Sequence, residues 1–172
     1  MSNVTVNMEA HMKSTLLKPC ILLLLVVALS ICPTVSADDS PRYTTPPKHA
    51  GVYVVAHRGA HQGIPENTLA AYQKAIDLKC DFVEIDVRTT KDGHFISIHN
   101  PTIDHYVEGT TGNVKDFTFA EIRAFDIGIK HGKQWAGTQI PTFEEILALC
   151  KGKIGIYLDL KQAPVSELMI LI

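Results

Sequence analysis

The sequence predicts an α/β protein, a TIM-type (β/α) barrel truncated after the third barrel strand. Three observations predict it. Short β-branched apolar runs at residues 51–58, 81–88 and 154–161 end in charged or histidine side chains. Segments with helix-capping residues and apolar positions three and four apart stand between them. Polar groups recur at the C-terminal end of each run, where barrels of this kind carry their chemistry. A closed barrel needs eight strands and about 250 residues, so the 172 residues are expected to hold the N-terminal part of the domain.

Residues 21–29 read Ile-Leu-Leu-Leu-Leu-Val-Val-Ala-Leu, after Lys13 and Lys18 and before Val35-Ser36-Ala37. That order of charge, apolar run and small residues predicts a signal peptide over residues 1–37. The run is too short for a hydrocarbon core of about 30 Å. A secreted or periplasmic protein with no stable membrane anchor after cleavage is therefore expected. Residues 38–50 are polar and Pro-rich and read as a linker. The formal net charge of −2 offers no basic field for nucleic acid. Beyond the leader, Cys80 and Cys150 each precede a predicted strand, as a disulfide or as two small buried thiols.

The elements follow in order. Gly51–Arg58 predicts a buried strand ending in His57 and Arg58. Asn67 is expected to cap a helix with Leu69, Tyr72 and Ile76 on one face. Asp81–Arg88 alternates strictly, with Val83, Ile85 and Val87 on one side and Glu84 and Asp86 on the other. Lys91-Asp92-Gly93 predicts a tight turn, and His94–His99 returns as a hairpin strand that brings His99 beside Glu84 and Asp86. An irregular Gly/Thr-rich stretch follows over residues 100–117. Thr118-Phe119-Ala120-Glu121 and Thr142-Phe143-Glu144-Glu145 are capping boxes, each opening a short helix. Residues 127–140, between them, read as a loop. Ile154–Lys161 is the last strand, with Ile154, Ile156, Leu158 and Leu160 facing opposite to Tyr157, Asp159 and Lys161. Pro164 begins another helix.

Taken singly, a histidine at a strand end or a Glu-x-Asp pair has an ordinary structural explanation. The repetition at one end of every strand points to chemistry instead. Glu84, Asp86 and Asp159 converging in one mouth would repel one another without a cation. Oxygen-only ligands suit a hard divalent ion, Mg²⁺ or Ca²⁺. Arg58 and Lys161 add positive charge suited to an anionic phosphate. His57 and His99 suit the removal of one proton and the donation of another. The residues alone thus suggest metal-assisted cleavage of a phosphate diester.

His57-Arg58-Gly59, Pro65-Glu66-Asn67-Thr68, Glu84-Ile85-Asp86-Val87, Thr90-Lys91-Asp92-Gly93 and His99 resemble the glycerophosphodiester phosphodiesterase family. Thr110-Thr111-Gly112, Ile140-Pro141-Thr142 and Asp159-Leu160-Lys161 continue the likeness to about residue 162. The resemblance implies a phospholipase-C-like barrel over residues 51–172, with the family's insertion at about 100–140. It implies hydrolysis of small glycerophosphodiesters to an alcohol and glycerol 3-phosphate with a divalent cation. His57 and His99 would be general acid and base, Glu84, Asp86 and Asp159 the metal ligands, and Arg58 and Lys161 the phosphate contacts. The glycerol hydroxyl would attack phosphorus first, and the cyclic phosphate would then be hydrolysed as the histidines exchange roles. Two positions depart from the family's pattern. Asn100 stands where Asp is usual after the second His, and Asp159 where Glu is usual.

Two alternatives carry other expectations: a related phospholipase-like phosphodiesterase with another lipid or head group, and an inactive truncated fragment acting at most as a binding module. As written, residues 38–172 are expected neither to close a barrel nor to turn over substrate alone. A glycosidase pair at Glu84 and Asp86 leaves His57, His99, Arg58 and Lys161 without a role.

Overall fold

The computed structural model describes residues 45–172. The expected signal peptide, 1–37, and the first part of the expected linker, 38–44, lie outside the described residues. The end of that linker is tied down. The Lys48 backbone N–H donates to Asp81 Oδ1 (2.8 Å), and Lys48 Nζ donates to the Cys80 carbonyl (2.9 Å).

The sheet is organised by β2 (Phe82–Thr89). Along one edge β4 (Gly155–Gln162) pairs with it in parallel, from Phe82↔Gly155 to Arg88↔Gln162. The other edge is shared. β1 (Val55–Ala56) pairs in parallel with the first residues of β2, Val55↔Phe82 and Ala56↔Val83. β3 (Phe95–Ser97) pairs antiparallel with its last ones, Thr89↔Phe95 to Val87↔Ser97. Three parallel strands with helices between them form the opening of a (β/α) barrel, and the Asp92-Gly93 hairpin is inserted on one edge.

β1 is shorter and more exposed than the predicted strand 51–58. Val52 to Val55 are all exposed. Only residues 55–56 find a ladder partner, and beyond Ala56 the chain turns through left-handed Arg58 (φ 53°) and Gly59 (φ 81°). The Asp81 carboxylate fastens the start of this segment by accepting the Val54 N–H (2.8 Å) as well as that of Lys48. These two backbone donors hold the Asp81 carboxyl below its ordinary value of 3.8. Its folded pKa is depressed, so its stabilising contribution is complete above 3.8 and is lost as pH falls through the lower folded value. Asp81→Asn is therefore expected to flatten the loss of stability below about pH 4. Thermal unfolding across the acid range checks this, and unchanged acid sensitivity would contradict it.

Helix α1 (Leu69–Asp77) is capped by Thr68, not Asn67. The Thr68 hydroxyl accepts the Ala71 N–H at 3.2 Å. Its inner face is also rotated from the expected one. Ala71, Tyr72 and Ala75 are fully buried, whereas Leu69 is 38% exposed. The reason is close packing: the turn after β1 lies directly on Ala71, whose carbonyl accepts the Ala60 N–H (3.0 Å). Only a small side chain fits there.

Both predicted capping boxes are present, opening α2 (Phe119–Arg123) and α3 (Phe143–Cys150). Thr118 and Thr142 each cap the glutamate N–H three residues on, and Glu121 and Glu145 each return a bond to the cap backbone. A last helix, α4 (Val165–Leu168), follows Pro164.

The core divides at β3. Val83, Ile85 and Val87 pack with Tyr72, Ala75, Phe95, Phe143 and Ile146. Ile96 and Ile98 join Ile103, Tyr106, Ile122 and Ile140 in a second cluster. The 100–140 segment is therefore a folded lobe built on one face of β3, although much of it lacks regular secondary structure. Cys80 and Cys150 are free, buried thiols in the first core. Burial pushes the Cys150 thiol up to about 11. On β4 the alternation shifts. The register slips between Val87/Arg88 and their partners Leu160/Gln162, and Leu160, expected on the apolar face, is 38% exposed. No helix among the described residues is long and apolar enough to cross a membrane.

Candidate active site

The sharing of one β2 edge directs the ends of β1 and β3, which carry the two sequence-predicted histidines, toward the same stretch of β2. β1 approaches from below, with Ala56 opposite Val83, so His57 follows at the level of Glu84. β3 approaches from above. Ser97 faces Val87 and the Ile98 N–H donates to the Asp86 carbonyl (3.0 Å), so His99 follows at the level of Ile85.

The carboxylates converge from two parallel strands. Glu84 and Asp86 sit two residues apart on β2, and Asp159 is the register partner of Asp86 on β4. One oxygen from each lies within 4.8 Å of the other two. Glu84 and Asp86 are buried, and Asp159 is half-buried. Burial pushes the Glu84 carboxyl above its ordinary value, the Arg58 backbone N–H opposes that, and neighbouring Asp86 adds to it. That N–H donates to Glu84 Oε2 at 2.8 Å.

Asp86 is the most enclosed member. Its Oδ2 accepts from Asn67 Nδ2 (2.8 Å) and lies 3.5 Å from Arg58 Nε. Its Oδ1 is buried with no hydrogen-bond partner, 3.3 Å from Lys161 Nζ. A buried carboxylate oxygen without a hydrogen-bond partner, beside two more carboxylates, fits a hard divalent cation. Glu84, Asp86 and Asp159 could hold one. Lys161 leans on the same group, 2.5 Å from Asp159 Oδ2. The Asp159 hydrogen bond raises the Lys161 ammonium above its ordinary value, against a smaller loss from burial.

Arg58, expected to meet phosphate, is held by a residue to which sequence reasoning gives no role. Its Nη1 donates to both Glu66 oxygens, at 3.1 and 3.0 Å. Burial pulls the guanidinium pKa down, but Glu66 and Asp86 outweigh this and raise it.

Asn67 does other work than capping. Besides holding Asp86, its Oδ1 accepts from Tyr72 Oη (2.9 Å) and Ser97 Oγ (3.0 Å), which are themselves 2.7 Å apart. All three residues are buried, so a polar knot at the back of the core fixes the orientation of Asp86. Asn tolerates the left-handed backbone this requires (φ 55°). The signal for Tyr72 is available in the sequence, since a buried tyrosine hydroxyl needs a partner.

Arg88 is a second residue that sequence reasoning misses. It continues the Glu84–Asp86 alternation by one step, and its Nε and Nη2 both donate to the His99 carbonyl, at 3.0 and 2.7 Å. Asn100 Oδ1 pairs with His99 Nδ1 at 2.8 Å, and the Asn100 N–H donates to Tyr106 Oη at 3.0 Å. Asn100 thus contacts the imidazole itself, as an uncharged orienting group.

Comparison with known proteins bears on this arrangement. Residues 57–169 match the Glycerophosphoryl diester phosphodiesterase family. The chain is 48% identical over 100 residues to a glycerophosphodiester phosphodiesterase of Caldanaerobacter subterraneus, covering 58% of this chain and 41% of that one. It is 33% identical over 157 residues to a Bacillus subtilis glycerophosphodiester phosphodiesterase, covering 87% of this chain and 52% of that one. Among solved structures, the Agrobacterium tumefaciens glycerophosphodiester phosphodiesterase superposes with a TM-score of 0.66 at 33% identity, covering 70% of this chain and 52% of that one. An Oleispira antarctica phosphodiesterase in complex with the product sn-glycerol-3-phosphate gives 0.61 at 31% identity, covering 65% and 45%. The chain thus spans about half the length of these relatives, or less.

Proposed function

Because the chain belongs to the glycerophosphoryl diester phosphodiesterase family and carries part of its TIM-type barrel, we propose that the protein hydrolyses glycerophosphodiesters to an alcohol and glycerol 3-phosphate. The observation that carries this is the convergence of Glu84, Asp86 and Asp159 within 4.8 Å, beside the strand ends that deliver His57 and His99. The product named in the Oleispira complex supports the same substrate class.

Glu84, Asp86 and Asp159 would hold Mg²⁺ or Ca²⁺. When bound, that ion supplies charge stabilisation to the phosphoryl oxygens. Arg58 and Lys161 add positive charge beside the same oxygens. One histidine removes the proton of the attacking glycerol hydroxyl while the other protonates the leaving alkoxide. The histidines then exchange roles as water opens the cyclic phosphate. His99 is held for this by Asn100 at its Nδ1 and by Arg88 at its carbonyl. Export with loss of residues 1–37 belongs to the same reading.

Chelation is the direct test. Dialysis of the full-length protein against a chelator is expected to abolish turnover of glycerophosphodiesters, and Mg²⁺ or Ca²⁺ to restore it. Turnover unchanged after chelation would remove the metal from the proposal.

A further inference from the structure

We infer that the cleft between the turn after β1 and the 100–140 lobe receives the alcohol half of the diester, and that it selects hydroxyl-rich or anionic head groups over quaternary ammonium ones. This rests on the diesterase reading above and goes beyond it by naming the substrate class.

The cleft has a volume of about 100 Å³ and includes His61 and Glu66 from the turn, and His105, Tyr106, Lys130 and His131 from the lobe. It adjoins the carboxylate cluster. Glu66 in its wall binds Arg58 at 3.0 Å, Arg58 Nε lies 3.5 Å from Asp86, and the His61 and His57 ring centroids are 6.4 Å apart. Its two walls are tied together, because Trp135 Nε1 from the lobe donates to the Gly63 carbonyl in the turn (2.9 Å). Lys130 is steadied at its edge, with Nζ 3.3 Å from the His105 carbonyl and 3.5 Å from that of Asp104.

The lining chemistry sets the preference. Lys130 brings a fixed positive charge and hydrogen-bond donors, and the three imidazoles bring further polar nitrogens. A trimethylammonium group would need an open aromatic face or a free carboxylate. Tyr106 is 7% exposed, and Glu66, the carboxylate in this lining, is engaged by Arg58. Lys130 repels a cation, whereas hydroxyl and anionic oxygens meet donors.

Affinity can be separated from turnover. The full-length protein carrying His57→Ala, with Mg²⁺ present, is titrated calorimetrically with glycerophosphoinositol and with glycerophosphocholine. The inositol diester is expected to bind about fivefold more tightly, the scale of one partly exposed charge. Adding Lys130→Glu is expected to erase or reverse that ratio, with thermal unfolding unchanged because Lys130 is on the surface. Equal or tighter binding of the choline diester overturns the inference, as does a ratio indifferent to Lys130→Glu or the absence of binding by both. Turnover by the unsubstituted protein distinguishes the two readings. Activity that favours the choline diester keeps the enzyme and overturns the head-group inference. An intact binding preference without turnover of any diester supports the cleft and removes the diesterase.

Discussion

Replacing His57 or His99 by Ala in the full-length protein is expected to lower turnover of glycerophosphodiesters by about 10²–10⁴, the usual size of an acid–base contribution. The fold should change little. His57 is exposed on the turn after β1, and His99 is half-buried at the end of the hairpin. Neither belongs to the two apolar clusters. The structural work near His99 is done by its backbone carbonyl, which Arg88 grips and which alanine retains. Turnover and thermal unfolding measured on the same samples check this. A large loss of thermal stability with specific activity retained would assign the histidines to structure.

Gly59→Ala is expected to destabilise the protein by about 2–5 kcal/mol, combining backbone strain with overpacking. Gly59 adopts φ +81°, where an L side chain is strained. A Cβ there would also lie 2.7 Å from the Ala71 Cβ, 2.8 Å from its carbonyl carbon and 2.9 Å from its carbonyl oxygen. Two of those atoms are backbone of α1, which cannot rotate away. Either the helix or the turn must move, and the turn carries His57, Arg58 and the Arg58 N–H bound to Glu84. Activity should therefore fall together with the melting temperature. Gly63 is also left-handed (φ +74°), but a Cβ added there meets nothing within 4 Å, so alanine brings the backbone strain without the clash. Gly63→Ala should cost less. Equal effects at the two positions would show that close packing at Gly59 is not the cause.

Much of the site was legible because strand periodicity is a local property. Strict alternation over 81–88 put Glu84 and Asp86 on one face and Val83, Ile85 and Val87 on the other, whatever packed against them. The Asp92-Gly93 turn fixed the hairpin register, and with it the return of His99 toward the carboxylates. Both capping boxes are bonds between residues three apart, so they too were complete within a few residues.

Legible from the chain alone, then, were the hairpin, both capping boxes and the face of β2 that carries Glu84 and Asp86, since each depends on near neighbours in sequence. Which polar groups become partners was settled by how the elements pack. Asn67 and Thr68 are adjacent and both suit an N-cap. Asn67 was drawn away because Asp86, Tyr72 and Ser97, all buried, converge on it from other elements. Glu66 met Arg58 across the β1 turn, and Asn100 met the imidazole beside it, for reasons set by loop geometry. The helix face turned from Leu69 to Ala71 because another segment had to pass within contact distance. A buried polar group must be satisfied by whatever the fold brings near it, and that neighbourhood is a non-local quantity.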